Sequence, residues 1–301
     1  MVPAAMLALV LQASPAPAAQ PAPAPPPATE IYLATIEPST DGNVRVGTPE
    51  NISTNPGYDN QPFFLRGGAA VMFTSMRDGK QTDIYEYTIA SRALKPLTTT
   101  AESEYSPTAT PDGRFSVIRV ESDGTQRLWA FPAGGGAPSL LLTDVKPVGY
   151  HAWADADTLV LFVLGEPATL RIADAVTGKA EVVAERPGRC LARTPDGKVS
   201  FVQKGPGKEP WQIVELDAAT KKMTPVTEAL EGREDYAWLP DGRLLMASGS
   251  RIFLWGKDNR VKVWQEVADL ASAGIGNITR MAVSPDGKKL ALVADSTEKP
   301  K

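Results

Sequence analysis

Four times the chain places a Thr, Leu or Ser before Pro-Asp-Gly and follows it with a basic residue and a mostly apolar run. The copies are Thr110-Pro111-Asp112-Gly113, Thr194-Pro195-Asp196-Gly197, Leu239-Pro240-Asp241-Gly242 and Ser284-Pro285-Asp286-Gly287. Their aspartates are 84, 45 and 45 residues apart, so the first interval holds room for one degenerate copy. Trp153-Ala154-Asp155-Ala156-Asp157 followed by Thr158 to Phe162 has the same apolar lead, turn and apolar run. A sixth copy, Pro62 to Phe73, matches Pro107 onward with a shift of 45. Proline presets φ for a turn, aspartate can accept from the backbone just ahead, and glycine takes φ > 0 without a Cβ clash. The motif therefore reads as a hairpin turn. Calcium ligation by these aspartates is disfavoured by their spacing within each loop.

A period near 45 residues suits a four-stranded propeller blade. Thr82 to Tyr87, Arg127 to Phe131, Thr169 to Ile172 and Trp211 to Leu216 read as third strands, rich in aromatic and β-branched residues. Turns and fourth strands such as Ala180 to Val183 follow. The last copy supplies only two strands. Glu30 to Ile36 carries the third-strand pattern of Asp83 to Tyr87, and Asn43 to Val46 can follow as a fourth. The expected fold is an all-β, six-bladed β-propeller of four-stranded blades, the last blade closed by N- and C-terminal strands. Closure leaves no exposed sheet edge to pair with other chains.

Ahead of this lies an apolar run, Ala4 to Leu11, and a small-residue cleavage pattern, Ala16-Pro17-Ala18, although no basic residue precedes the run. Residues 1–19 are expected to be a signal peptide, with an Ala/Pro-rich tail as the plainer reading. Residues 20–28, rich in proline and alanine, read as an extended linker. The propeller then occupies 29–301. The apolar run is too short to span a bilayer.

The net charge is −4, which argues against nucleic acid as a partner. The single cysteine, Cys190, excludes an intrachain disulfide, and the single histidine, His151, excludes any two-histidine metal centre within the chain.

The stretch before each turn should lie on the innermost strand of its blade, at a mouth of the central channel. Across the copies this gives Asp59, Asn60, Tyr105, Tyr150, His151, Arg189, Glu234, Asp235, Tyr236 and Arg280 as candidate binding residues. Such mixed polar groups beside apolar neighbours are what a binding mouth needs. The plainer reading is a ring that hydrates the channel, with each group contributing within roughly 0.5 kcal/mol to stability. His151 could serve as a general base, but no nucleophile elbow accompanies it, and a structural role is favoured. Arg189 beside Cys190 could lower the thiol pKa, against a plain buried cysteine. Trp153 and Trp238, at matching places in two copies, read as blade packing. No catalytic set and no cofactor are expected. Calcium is the one metal considered, on converging Asp, Glu and Asn oxygens.

The x-Pro-Asp-Gly-Lys/Arg repeats, the lead Asn55-Pro56-Gly57-Tyr58-Asp59-Asn60-Gln61-Pro62 and the Arg77-Asp78-Gly79 turn resemble the WD40-like PD40 repeats of TolB-type propellers. The resemblance covers residues 29–301 and implies a six-bladed propeller with a periplasmic home. It extends to the propeller only, without the N-terminal domain through which TolB docks partners in the Tol–Pal system. The expectation is therefore an exported, periplasmic or secreted monomer that binds a protein, peptide or envelope component without catalysis. The alternatives are a lactonase- or cyclase-like enzyme with a carboxylate-bound divalent metal at the mouth, and a small-ligand sensor.

Overall fold

The computed structural model describes residues 26–40, 42–256 and 263–295. The expected leader at 1–19 and linker residues 20–25 lie outside the described residues. Within them the chain is all β apart from a short 3-10 turn at Ala271–Ala273. No helix among the described residues is long and apolar enough to cross a membrane.

The chain opens with β1 (Thr29–Pro38), β2 (Val44–Val46) and β3 (Glu50–Asn51). An antiparallel series follows: β4 (Tyr58–Phe64), β5 (Ala70–Met76), β6 (Asp83–Thr88) and β7 (Ala93–Pro96). Four separate four-stranded sheets come next. They are β8 (Ser103–Ala109), β9 (Phe115–Val120), β10 (Gln126–Phe131) and β11 (Ser139–Leu140); then β12 (Val148–Trp153), β13 (Thr158–Val163), β14 (Thr169–Asp174) and β15 (Ala180–Glu185). After these come β16 (Pro187–Arg193), β17 (Val199–Gln203), β18 (Gln212–Leu216) and β19 (Met223–Glu228), then β20 (Tyr236–Trp238), β21 (Leu244–Ser248), β22 (Arg251–Trp255) and β23 (Gln265–Asp269). Last are β24 (Arg280–Val283) and β25 (Lys289–Asp295).

Both ends of the described chain meet in one sheet. β1 runs antiparallel to β25 from Thr29↔Asp295 to Thr35↔Lys289, and β24 pairs the other edge of β25. β2 and β3 pair β1. A single parallel bridge, Thr29↔Tyr58, joins this unit to the β4–β7 series, which makes a nine-stranded mixed sheet. The first strands touch in succession: β4 with β8, then β12, β16, β20 and β24, and β24 again with β4.

The turns carry one hydrogen-bond pattern. The residue before Pro-Asp-Gly donates its N–H across the turn, as Thr110 does to the Arg114 carbonyl at 2.9 Å and Thr194 to Lys198 at 2.9 Å. The two degenerate copies do likewise, with Ala154 to Thr158 at 2.9 Å and Leu65 to Ala70 at 2.9 Å. The glycines take the left-handed conformation that the turn requires, with φ of 91° at Gly113 and 85° at Gly242. Each aspartate works inside its own turn. Asp286 accepts from the Ser284 hydroxyl at 2.6 Å and from the Lys288 N–H at 3.1 Å. Asp155 accepts from Asp157 and Thr158 N–H at 2.9 and 2.8 Å, which replaces the missing Pro and Gly.

The run after each turn is apolar at successive positions because both of its faces are covered. Leu159 and Leu161 pack with Ile118 and Leu128 of the preceding sheet, while Val160 packs with Phe201 and Val214 of the next. Leu290 and Leu292 pack toward Leu245 and Leu254, while Ala291 and Val293 pack with Val71 and Phe73. The apolar core is thus a set of layers between sheets, one layer between the last unit and the first.

Candidate functional site

The sequence-selected residues all fall on the first strands or just before them, yet the pleat sends them to different places. Adjacent residues on a strand point to opposite faces, and bulges reset the phase. Pairing registers shift between Asn60 and Phe63 in β4, Tyr105 and Thr108 in β8, Val148 and Tyr150 in β12, and Pro187 and Leu191 in β16. Within the first two bulges Gln61 and Ser106 take positive φ, 58° and 54°, which is uncommon for residues other than glycine. The Gln61 Oε1 accepts from the Ser106 N–H and the Thr74 hydroxyl, both at 2.8 Å, and so ties the two sheets.

One group gathers at the mouth. Arg189 donates to Asp235 Oδ2 from Nη2 at 2.8 Å and stands 3.5 Å from Glu234. Arg280 donates to Asp235 Oδ1 at 3.1 Å and to the Tyr150 hydroxyl at 2.9 Å, with its guanidinium 5.0 Å from the Tyr150 ring centroid. Lys204 pairs with Glu234 at 2.8 Å. Three cations thus share two carboxylates. Asp235 and the neighbouring tyrosine raise the Arg280 pKa despite its burial. The side chain of Arg189 is 39% exposed and that of Lys204 30%, against 14% for Arg280, so Arg189 and Lys204 are the cations that solvent can reach. The expectation of freely hydrated mouth charges is corrected here. Arg280 and Asp235 are largely covered and mutually bonded, so removing one strands the other with an uncompensated charge. Tyr105, half-buried, and Asn60, buried with its Oδ1 accepting from the Gln61 N–H at 2.8 Å, stand at the equivalent places in the first two sheets.

Asp59 and Glu104 turn away from the channel. Both are fully buried between sheets. Neither Asp59 carboxyl oxygen makes a well-aligned hydrogen bond among the described residues, and burial, only partly offset by the nearby Ser75 hydroxyl, the Arg77 charge and the Asn55 amide, pushes its pKa up to about 7. Burial likewise lifts Glu104 to about 7, although the Thr100 and Thr98 hydroxyls bond it and Arg119 lies 3.5 Å away.

His151 is 5% exposed, and burial alone drives its pKa down to about 3, so the ring is neutral. Its Nε2 lies 2.7 Å from the Ser116 hydroxyl, which also accepts from Trp153 Nε1 at 3.0 Å. Ser116 is fully buried, so its hydroxyl is closed to a substrate and cannot act as a nucleophile. The same device recurs two sheets on, where Tyr236 Oη and Trp238 Nε1 each donate to Ser200 Oγ at 2.8 Å. These are inter-sheet ties.

Cys190 runs opposite to the lowering that Arg189 suggested. Burial and the Asp235 charge push its thiol up to about 12, and its Sγ contacts the Tyr236 carbonyl at 3.4 Å. We expect iodoacetamide at pH 8 to leave Cys190 unmodified in the native protein and to label it fully in denaturant. Rapid labelling of the native protein, read by mass spectrometry, would contradict the assigned environment.

Two residues escaped the sequence reading. Tyr58, at the head of β4, is held far from ionisation by burial and lies within electrostatic reach of Arg280, Tyr150, Tyr105 and Arg189. Its place one residue before Asp59 was the available signal. Lys204 sits at the far end of the β16–β17 hairpin, and no local pattern marked it. Among the described residues no three His, Cys, Asp or Glu side chains come together as a metal cage.

No family model matches the chain, and no curated protein does. Solved structures do. A putative TolB from Agrobacterium tumefaciens aligns with TM-score 0.68 at 17% identity, over 90% of this chain and 99% of that one. TolB from Acinetobacter baumannii gives 0.57 at 14%, over 90% of this chain and 65% of that one. An oligogalacturonate lyase in complex with manganese gives 0.56 at 12%, over 87% and 82%. At these identities the likeness is one of fold: the chain has a TolB-like β-propeller fold, which enzymes share.

Proposed function

We propose that the chain is a closed ring of six blades, exported from the cytoplasm, that acts as a non-catalytic scaffold for an acidic segment of a protein, peptide or envelope component. What supports closure is the succession of first strands returning from β24 to β4, with apolar layers on both faces of the β24–β25–β1 unit. The observation that carries the binding reading is the mouth cluster, in which three cations share two carboxylates and the Arg189 side chain, though bonded to Asp235, stays 39% exposed. A guanidinium in that position grips a carboxylate through paired N–H bonds. The chain's histidine is neutral and bonded to a buried serine, its thiol is protonated, and its acidic oxygens are dispersed or paired, so the reading is recognition without turnover. The protomer works alone in this reading, and its mature chain begins near Ala19.

The test uses immobilised protein and envelope extract. The expected result is capture of a partner by the native protein, weakened about tenfold or more by Arg189→Ala and by added salt, with the melting temperature nearly unchanged. Capture that is indifferent to both overturns the reading. Mass spectrometry of the protein recovered from cells checks export: an N-terminus near Ala19 supports it, and intact Met1 on cytoplasmic protein refutes it.

A further inference from the structure

The opposite end of the channel, on the side of the Pro-Asp-Gly turns, opens into a cavity of about 400 Å³. That size lies within the ~300–1,000 Å³ usual for small-molecule sites. Its wall is aromatic and aliphatic, including Phe63, Trp153, Trp238 and Met281. The two indole nitrogens are turned away into bonds with Ser116 and Ser200 at 3.0 and 2.8 Å, which fixes the rings; Trp238 is half-buried, and Trp153 meets the cavity by an edge, being only 6% exposed. His151 in the same wall is neutral, and the Tyr236 hydroxyl is already bonded to Ser200. Apart from two arginines at its border, the cavity therefore has an uncharged lining.

The charged residues that border it are Arg66 and Arg193, with no carboxylate in the lining. The Arg66 guanidinium donates to the Pro111 carbonyl at 3.3 Å. Arg193 ends β16, the strand that stands between β12 with Trp153 and β20 with Trp238. It is exposed and makes no ion pair among the described residues. Asp155 lies within its electrostatic reach, but that carboxylate already accepts from the Asp157 and Thr158 N–H groups. Inward, the cavity continues through Pro62, Phe63, His151, Cys190 and Met281 into a narrower space of about 120 Å³. Tyr150, Arg280, Asp235 and Arg189 border that inner space and are bonded to one another. A pocket that narrows onto a bonded cluster suits a small molecule rather than a threaded chain.

We propose that this end of the channel binds a small aromatic carboxylate. Its ring lies against Trp153, Trp238 and Phe63, and its carboxylate meets Arg193. The site is independent of the acidic partner assigned to the other mouth. Flat apolar rings stack on fixed aromatic faces, and a free guanidinium beside them discriminates an anion from a neutral isostere.

The probe is 2-naphthoate, with neutral 2-naphthamide as its isostere, followed by tryptophan fluorescence and calorimetry on the full chain. The expected result is saturable one-to-one binding of 2-naphthoate, at least about tenfold weaker binding of the amide, and a similar tenfold loss for 2-naphthoate in Arg193→Ala. Arg189→Ala should leave naphthoate binding unchanged, which separates this site from the other mouth. Arg193 is exposed, so the variant folds, and an unchanged melting curve checks that. Absence of saturable binding, equal affinity for the amide, or unaltered affinity in Arg193→Ala would each overturn the proposal.

Discussion

A chain lacking residues 29–38 is expected to be found unfolded or aggregated, with no cooperative melting transition at the native temperature. β1 is the central strand of its unit: seven register pairs bind it to β25, from Thr29↔Asp295 to Thr35↔Lys289, and β2 and β3 pair it as well. Its side chains enter two apolar layers at once. Ile31 packs with Val71, Phe73 and Val293, whereas Tyr32 and Ile36 pack with Leu245, Leu254 and Leu292. Fully burying one such side chain contributes about 1.5–3 kcal/mol, so losing several is comparable to the whole ~5–15 kcal/mol stability of a typical native protein. The exposed edge of β25 would then offer unpaired backbone groups to other chains. Circular dichroism and size exclusion check the result. A truncated monomer with native melting would refute the ring reading. As a control, adding the strand back as a synthetic peptide should restore folding in part.

The second large effect concerns Asp59. Its carboxyl is buried without a well-aligned hydrogen bond among the described residues, and burial outweighs the nearby Ser75 and Asn55 side chains to raise its pKa from 3.8 to about 7. The folded state therefore holds a proton that the unfolded chain releases near pH 4. Stability is fully present below about pH 4, falls as pH climbs toward 7, and is flat above that. At 1.36 kcal/mol per unit, the loss is on the order of 4 kcal/mol. Glu104, raised from 4.5 to about 7, adds a loss of the same sign. His151 works the other way. Its folded pKa falls to about 3, so its contribution is present above 6.5 and is lost as pH drops toward 3. The wild-type profile is the sum of these, and the comparison with Asp59→Asn isolates one group. The variant should gain on the order of 2–4 kcal/mol over wild type at pH 8 and close to nothing at pH 4, measured by urea denaturation. An equal difference at both pH values would refute the buried-carboxyl account.

Much of the architecture is legible in single residues. The Pro-Asp-Gly copies mark the turn between first and second strands because few other tripeptides supply a preset φ, a local acceptor and a left-handed glycine in that order. The degenerate Ala154-Asp155-Ala156-Asp157 is legible too, since the Asp155 carboxylate alone can take both N–H bonds. The continuous apolar run after each turn marks a strand covered on both faces. The pattern Glu30-Ile31-Tyr32 identifies β1 as a displaced third strand, and it pairs β25 as that reading requires.

The channel was legible only as a region. The stretch before each turn lies on the first strand in every copy, and that much follows from the period. Which residue of each stretch faces the channel does not. Side chains alternate with period two, so Asp59 and Asn60, or Glu104 and Tyr105, go to opposite faces, and a one-residue bulge inverts the assignment. Bulges at Asn60–Phe63 and Tyr105–Thr108 leave no composition signal beyond the left-handed Gln61 and Ser106. Tertiary packing alone sets Arg189, Asp235 and Arg280 side by side, because they come from three different sheets at separations of 45 or 46 residues. Trp153 and Trp238 do pack into the core as the sequence suggests, and tertiary structure alone shows that they also line a cavity. The sequence determined the turns, the strands and the closing partner of β1, since these depend on local backbone chemistry and on faces covered by apolar neighbours. Only the tertiary structure decided which polar groups meet, which are sealed between sheets and which remain open to a ligand, because strand phase and the company of distant strands are set by how the sheets pack.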